Sequence, residues 1–344
     1  MGADRVNYLN IGLMLASCGI ALYIPFELFL FAYAVLGPAH YLTEISWLQK
    51  RRFFTRGKYD AWLIVALAAL AFLAAPASYS LAESLKTARY TFLALGSALV
   101  FVLSDRTGPR ILGLAAVAAL AFVVVDTTGP TALLFALFVP TLIHVYLFTG
   151  FFMIYGALKE RSRSGYLAFA VFLLCPVLCL FIDPARISPS PYVVVSYWKN
   201  FSLLNLTMLG LNLPTTKADG GVAGLKVFSS GAGLIAMRFI AFAYTYHYLN
   251  WFSKTSIIKW HEAGAKRLAA IGAIWLASVG VFIYDYSVGF KWLFILSVSH
   301  IYLEFPLNHI SIIGTFREAR GLFGKAPEPA LAVVGKRRKS AIAG

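Results

Sequence analysis

The chain has 344 residues, 60% of them hydrophobic and only 13% charged, with a formal net charge of +15. A soluble domain averages roughly 25% charged residues, so this balance excludes an ordinary soluble enzyme and points to an all-α, polytopic transmembrane bundle. The surplus Lys and Arg lie in short segments between apolar runs. That is the positive-inside pattern, and it needs no nucleic-acid partner.

Requiring roughly 17–25 apolar residues per crossing gives about ten spans, near 7–23, 25–48, 59–75, 86–104, 109–126, 129–157, 164–183, 226–252, 267–286 and 288–313. Pro25, Pro76, Gly108-Pro109 and Gly129-Pro130 punctuate several boundaries. Most of the basic residues fall in alternate connections: Lys50–Lys58, Arg106–Arg110, Lys159–Arg163 and Lys254–Arg267, together with the C-terminal segment. An even number of spans with both termini inside follows, in a bacterial-type inner membrane. Leu15-Ala16-Ser17-Cys18 behind Arg5 matches a lipoprotein cleavage signal; the alternative is a first span that contains a cysteine. Cys18, Cys175 and Cys179 all lie in apolar stretches and imply no disulfide framework.

Residues 1–314 thus form the transmembrane domain. Segment 184–225 is its one long outer connection, with the composition of a lid, an interfacial helix or a re-entrant piece. Residues 315–344, with Lys325-Ala326-Pro327-Glu328-Pro329 and Lys336–Lys339, read as a basic, mostly disordered cytoplasmic tail.

Two apolar runs carry the same pair, His-x-x-x-Glu: His40 with Glu44, and His300 with Glu304. Four residues apart on a helix, the two members project from one face. A carboxylate within a span costs about 2.5 kcal/mol or more, so it is seldom kept without a partner or a task. His40, His247, His300 and His309 fall in the inner half of their spans, and His144 lies near the middle of a long one. A shared depth is what a common metal site requires.

Each candidate has a plain structural alternative. His40 with Glu44, and His300 with Glu304, would otherwise be buried pairs bonding each other. Ser297 and Ser311 share the His300 face. His144 follows Pro140, which loosens the backbone one turn away. His247 shares a face with Tyr244 and Asn250, the latter a second-layer candidate. His309 joins the site only if Pro306 kinks its helix inward. His261 is fourteen residues past His247, about 21 Å along one helix, so it joins only if the Lys254–Lys259 segment folds back. Arg238, near mid-span, calls for a buried carboxylate such as Glu27 or Asp126.

The candidate metal ligands are therefore His40, Glu44, His144, His247, His261, His300, Glu304 and His309, with Glu44, Glu304 and Tyr244 as candidate catalytic groups. So many ligands exceed what one catalytic tetrahedral zinc accepts. They suit one iron, or two sharing the set. Carboxylate-plus-imidazole ligation with open positions activates oxygen, which points to oxidation of a lipid-soluble substrate entering from the bilayer, with an electron donor as a possible partner. Zinc-dependent lipid or amide hydrolysis, a haem quinone oxidoreductase and a proton-coupled transporter are the competing classes.

The Gly37-Pro38-Ala39-His40 segment and the His247 region, in a multi-span protein with isolated histidines near one leaflet, resemble the bacteriorhodopsin-associated β-carotene 15,15′-dioxygenase family. Members of that family are membrane-embedded iron enzymes that cleave β-carotene to retinal with histidine ligands. The resemblance implies a membrane iron oxygenase; it does not carry over the substrate.

Overall fold

The computed structural model describes residues 2–74, 85–125, 130–182, 189–211 and 217–323, and these contain helices and no strand. Asp126 and the tail residues 325–339 lie outside the described residues. We number the principal helices α1 (Ala3–Tyr23), α2 (Pro25–Lys50), α3 (Asp60–Ala74), α4 (Ala88–Leu103), α5 (Thr107–Val124) and α6 (Pro130–Glu160). They continue with α7 (Arg163–Phe181), α8 (Pro191–Met208), α9 (Lys217–Ser229), α10 (Gly231–Ser253), α11 (Ala265–Tyr284) and α12 (Tyr286–Phe323).

By length and composition, seven of these can cross a membrane: α1, α2, α5, α6, α7, α11 and α12. An eighth crossing results if α9 and α10, bent by 64° at Ser230, count as one broken span. The expected spans near 59–75 and 86–104 correspond to the shorter apolar helices α3 and α4. Large apolar side chains such as Leu112, Phe122, Val123, Phe181 and Ile283 stand exposed on the outside of the bundle, the surface of a protein that meets lipid. The break before Pro25 is real: Ile24 leaves helical geometry, and the proline starts α2, where its missing N–H costs nothing.

Four helices build the interior. Helix α10 is buried along most of its length, with Arg238, His247 and Asn250 among its buried residues, and it packs against α1, α2, α6 and α7. Helix α12 lies against α2, α3, α4, α6 and α11. Two of the four carry π-helical segments, Ala32–Leu36 in α2, just before Pro38, and Leu134–Phe148 in α6, which contains Pro140. A widened turn of this kind is frequent at functional sites, because it re-aims the side chains that follow. The segments lead into His40 and enclose His144.

Two expectations about the chain change. Residues 315–323, assigned to the tail, continue α12, with the Thr315 hydroxyl bonded to the Ser311 carbonyl. Arg238 pairs with no carboxylate among the described residues. Its guanidinium donates to the Leu22 carbonyl at 2.8 Å and to the Ile182 carbonyl at 3.1 Å, at the C-terminal ends of α1 and α7. Those carbonyls have no acceptor role left within their own helices and form the negative end of each dipole, so they can hold a buried cation without a carboxylate.

In the segment 184–225, α8 turns inward. Its Tyr197, Phe201 and Leu204 help line an internal cavity of ≈ 180 Å³ that also touches α2, α6, α10 and α12. Residues 184–188 and 212–216 of that segment lie outside the described residues.

Candidate metal centre

Four imidazoles from four helices meet in the middle of the bundle: His40 on α2, His144 on α6, His247 on α10 and His300 on α12. Their ring centroids form a closed quadrilateral, with His40 to His247 at 4.8 Å, His247 to His144 at 4.9 Å, His144 to His300 at 5.1 Å and His300 to His40 at 5.4 Å. All four are buried, His247 the least so at 7% exposure. Each of His40, His247 and His300 offers a ring nitrogen lying within 4.8 Å of the other two, so this triad can hold a metal ion.

The rings are held from behind. The Nδ1 of His300 faces the Ser297 carbonyl, which can only accept, so Nδ1 carries the proton and Nε2 is left as a bare lone pair. The Nδ1 of His247 lies 2.8 Å from the Thr149 hydroxyl, and donating its proton there turns the His247 Nε2 lone pair toward the cluster. That Nε2 approaches His40 Nε2 at 3.1 Å. Outer partners that fix tautomer and ring plane are a regular feature of histidine metal sites. Tyr41 adds a packing constraint, stacking on His300 at 4.0 Å between centroids, with its hydroxyl 2.8 Å from that of Tyr248. Gly37 makes this approach possible: a Cβ there would lie 3.2 Å from the Tyr41 hydroxyl and 3.4 Å from that of Tyr248.

Several nitrogens in the cluster have no hydrogen-bonding protein partner: His40 Nδ1, both ring nitrogens of His144, and His300 Nε2. Leaving a buried polar group unpaired costs about 1–3 kcal/mol. A cation shared by the rings gives each ring one partner and so removes much of that cost, which means that the residues fit a metal. Removing the Thr149 hydroxyl tests the arrangement: Thr149→Val should lower metal affinity about 10–100-fold, the usual effect of losing an outer partner, with helix content unchanged. Competition against a calibrated chelator measures it.

The carboxylates lie beside the rings. Glu44 Oε2 is 3.1 Å from His40 Nε2, as the four-residue spacing anticipates. Glu304, paired by spacing with His300, instead reaches across to His144, with Oε2 3.2 Å from Nδ1. Tyr244, His144 and His300 all line the cavity beside the site, whose remaining walls mix aromatic side chains with aliphatic and polar ones.

Two predicted ligands stay away. His309 passes Pro306 on a helix that remains continuous, and its Nε2–H donates to the Leu95 carbonyl on α4 at 2.8 Å. Nine residues past His300, it points to the opposite side of α12, as an unbroken helix requires. His261 sits exposed in the short turn Trp260–Ala263, beyond α10. Asn250, expected behind His247, accepts instead from the Tyr246 hydroxyl at 3.4 Å. Thr149 and Tyr41 had no distinguishing mark in the sequence, since the rings they touch, His247 and His300, come from elements distant in the chain.

The fold and site together define a membrane-type helical protein with a buried histidine cluster able to hold a metal ion. Comparison with known protein families, with curated proteins and with solved structures finds no match to the chain.

Proposed function

We propose that the chain is an integral-membrane metal enzyme, an iron oxygenase or related oxidoreductase acting on a lipid-soluble substrate. The observation that carries this reading is a cluster of four imidazoles, each from a different helix, of which His144 and His300 reach the wall of a largely apolar cavity inside the bundle. A structural site is closed on all sides, whereas a catalytic one keeps access to a bound substrate. Bound there, iron would supply oxygen-activating chemistry. The chain's own part is to hold an apolar substrate against Tyr244, Tyr41 and the rings, to exclude bulk water, and to place the Glu44 and Glu304 carboxyl groups where a proton can be held beside His40 and His144.

The topology belongs to the same proposal. The α9–α10 pair and the two shorter helices α3 and α4 bring the crossings to ten. Both termini lie on the cytoplasmic side of a cell membrane, where the basic connections cluster and an electron donor would dock. The resemblance of the His40 and His247 regions to the membrane carotene dioxygenases is in keeping with this reading.

Zinc-dependent hydrolysis is the second reading, favoured by the fact that the triad closes without His144, as in three-histidine catalytic zinc sites. With His144 included, four imidazoles would complete a tetrahedral zinc, whereas six-coordinate iron keeps open positions. Elemental analysis of the detergent-purified protein separates the two. Iron with oxygen uptake dependent on an added apolar substrate is the expected result. Zinc without oxygen uptake would replace the oxygenase by the hydrolase, and no bound metal would end both.

A further inference from the structure

The cavity beside the histidines has two chemically different ends. At one stand His144 and His300. The other is formed by α8, where Lys199, Asn200 and Ser202 join the lining. Contacts of α8 fix the depth of this end. The Asn200 amide donates to the Ser287 hydroxyl at 3.3 Å, at the start of α12, and Tyr197 packs edge-on against Phe26 and Phe29, near the start of α2. His300 lies thirteen residues beyond Ser287 on the same continuous helix, about 20 Å along its axis. Between the two ends the wall includes Phe29, Tyr33, Phe201, Phe294 and Val298.

Lys199 is the one formally charged side chain among the described residues that line the cavity. It is exposed, and no carboxylate among the described residues pairs with it. We propose that the cavity binds a medium-chain carboxylate lengthwise, with the head group at Lys199 and the apolar end against His144 and His300. The binding site follows from the lining alone. Its use as the substrate class rests on the metal-enzyme reading above and deepens it: the carbon farthest from the carboxylate lies at the metal centre, so oxidation falls at the remote end of the chain.

A ligand pocket is mostly apolar, with a few polar groups that fix orientation, and a single cation at one end selects an anionic head. Lysine's flexible stem lies along apolar surface while its ammonium stays near water. The stem and the imidazole rings take up part of the length between the ends, and the cavity holds ≈ 180 Å³. That space suits a chain such as decanoate and leaves no room for a two-chain membrane lipid. A phosphate monoester carries nearly two negative charges, more than one lysine balances, so the head group is a carboxylate. A lysine that only met the membrane surface would need no place in the cavity wall.

The test uses the full-length protein in nonionic detergent, stripped of metal so that the outcome does not depend on the metal centre. Calorimetric titration with decanoate should show saturable binding of a single molecule. Lys199→Gln should weaken it about tenfold or more, the loss of a bond to a charged group, and methyl decanoate should bind the wild type as weakly. Lys86→Gln, which removes an exposed lysine outside the lining, should bind decanoate as the wild type does. Lys199→Glu should reverse the preference and take decylamine in place of decanoate. In the protein reloaded with Mn²⁺, the terminal methyl protons of decanoate should relax faster than those beside the carboxylate. The proposal is overturned by absence of saturable binding in the wild type, by equal affinity in Lys199→Gln, by tighter binding of decyl phosphate, or by faster relaxation beside the carboxylate. Each of these leaves the metal-enzyme reading standing. Decanoate bound by a chain that retains no metal would keep the site and remove that reading.

Discussion

His300→Ala is expected to lower metal affinity by more than about 100-fold, beyond the usual loss from removing an outer partner. His300 supplies one of three triad nitrogens, and its Nε2 is a free lone pair because the Ser297 carbonyl takes the Nδ1 proton. No other described side chain joins the triad within the same spacing, so two imidazoles would remain where a catalytic site uses three protein ligands. The controls are internal to the chain. His309→Ala and His261→Ala remove the same side chain from positions bonded to a backbone carbonyl or exposed in a turn, and should leave metal content unchanged. Elemental analysis of the three variants, each checked for helix content, measures the contrast. Equal retention by His300→Ala and His309→Ala would dismantle the site.

Arg238→Met should be the most destabilising single substitution outside the metal centre. Arg238 is 1% exposed and ties the ends of α1 and α7 to the middle of α10 through the Leu22 and Ile182 carbonyls. A hydrogen bond to a charged group contributes about 1.5–3 kcal/mol, so losing two amounts to about 3 kcal/mol or more. Methionine fills much of the volume but leaves both carbonyls without a donor. Arg238→Lys keeps the charge and loses the two-pronged geometry, so an intermediate loss is expected. Thermal unfolding in detergent should rank the wild type above Lys and Lys above Met, with metal content per folded chain unchanged. A methionine variant as stable as the wild type would show that the helix ends need no cation.

The two His-x-x-x-Glu pairs show where sequence reasoning reaches and where it stops. Both were legible because helix periodicity is local: residues four apart share a face whatever surrounds them. For His40 and Glu44 the face also fixed the partner, and the two side chains approach to 3.1 Å. For His300 and Glu304 it did not. The backbone three residues earlier takes the His300 Nδ1 proton, and Glu304 turns to His144 on α6. Likewise, the apolar runs marked α3 and α4 as helices, but their length within the described residues is short for a crossing.

What the amino-acid order determined by itself is a helical chain of membrane-type composition that carries imidazoles and carboxylates where hydrocarbon is the default. Burial of such groups is costly enough to be read from their presence alone. Only the tertiary structure decided which of the eight proposed ligands converge. His40 and His247 meet although 207 positions separate them, while His309, nine past His300, faces another helix. The contact between two helices depends on how their faces pack, and a periodicity that each helix carries on its own contains no record of its neighbour.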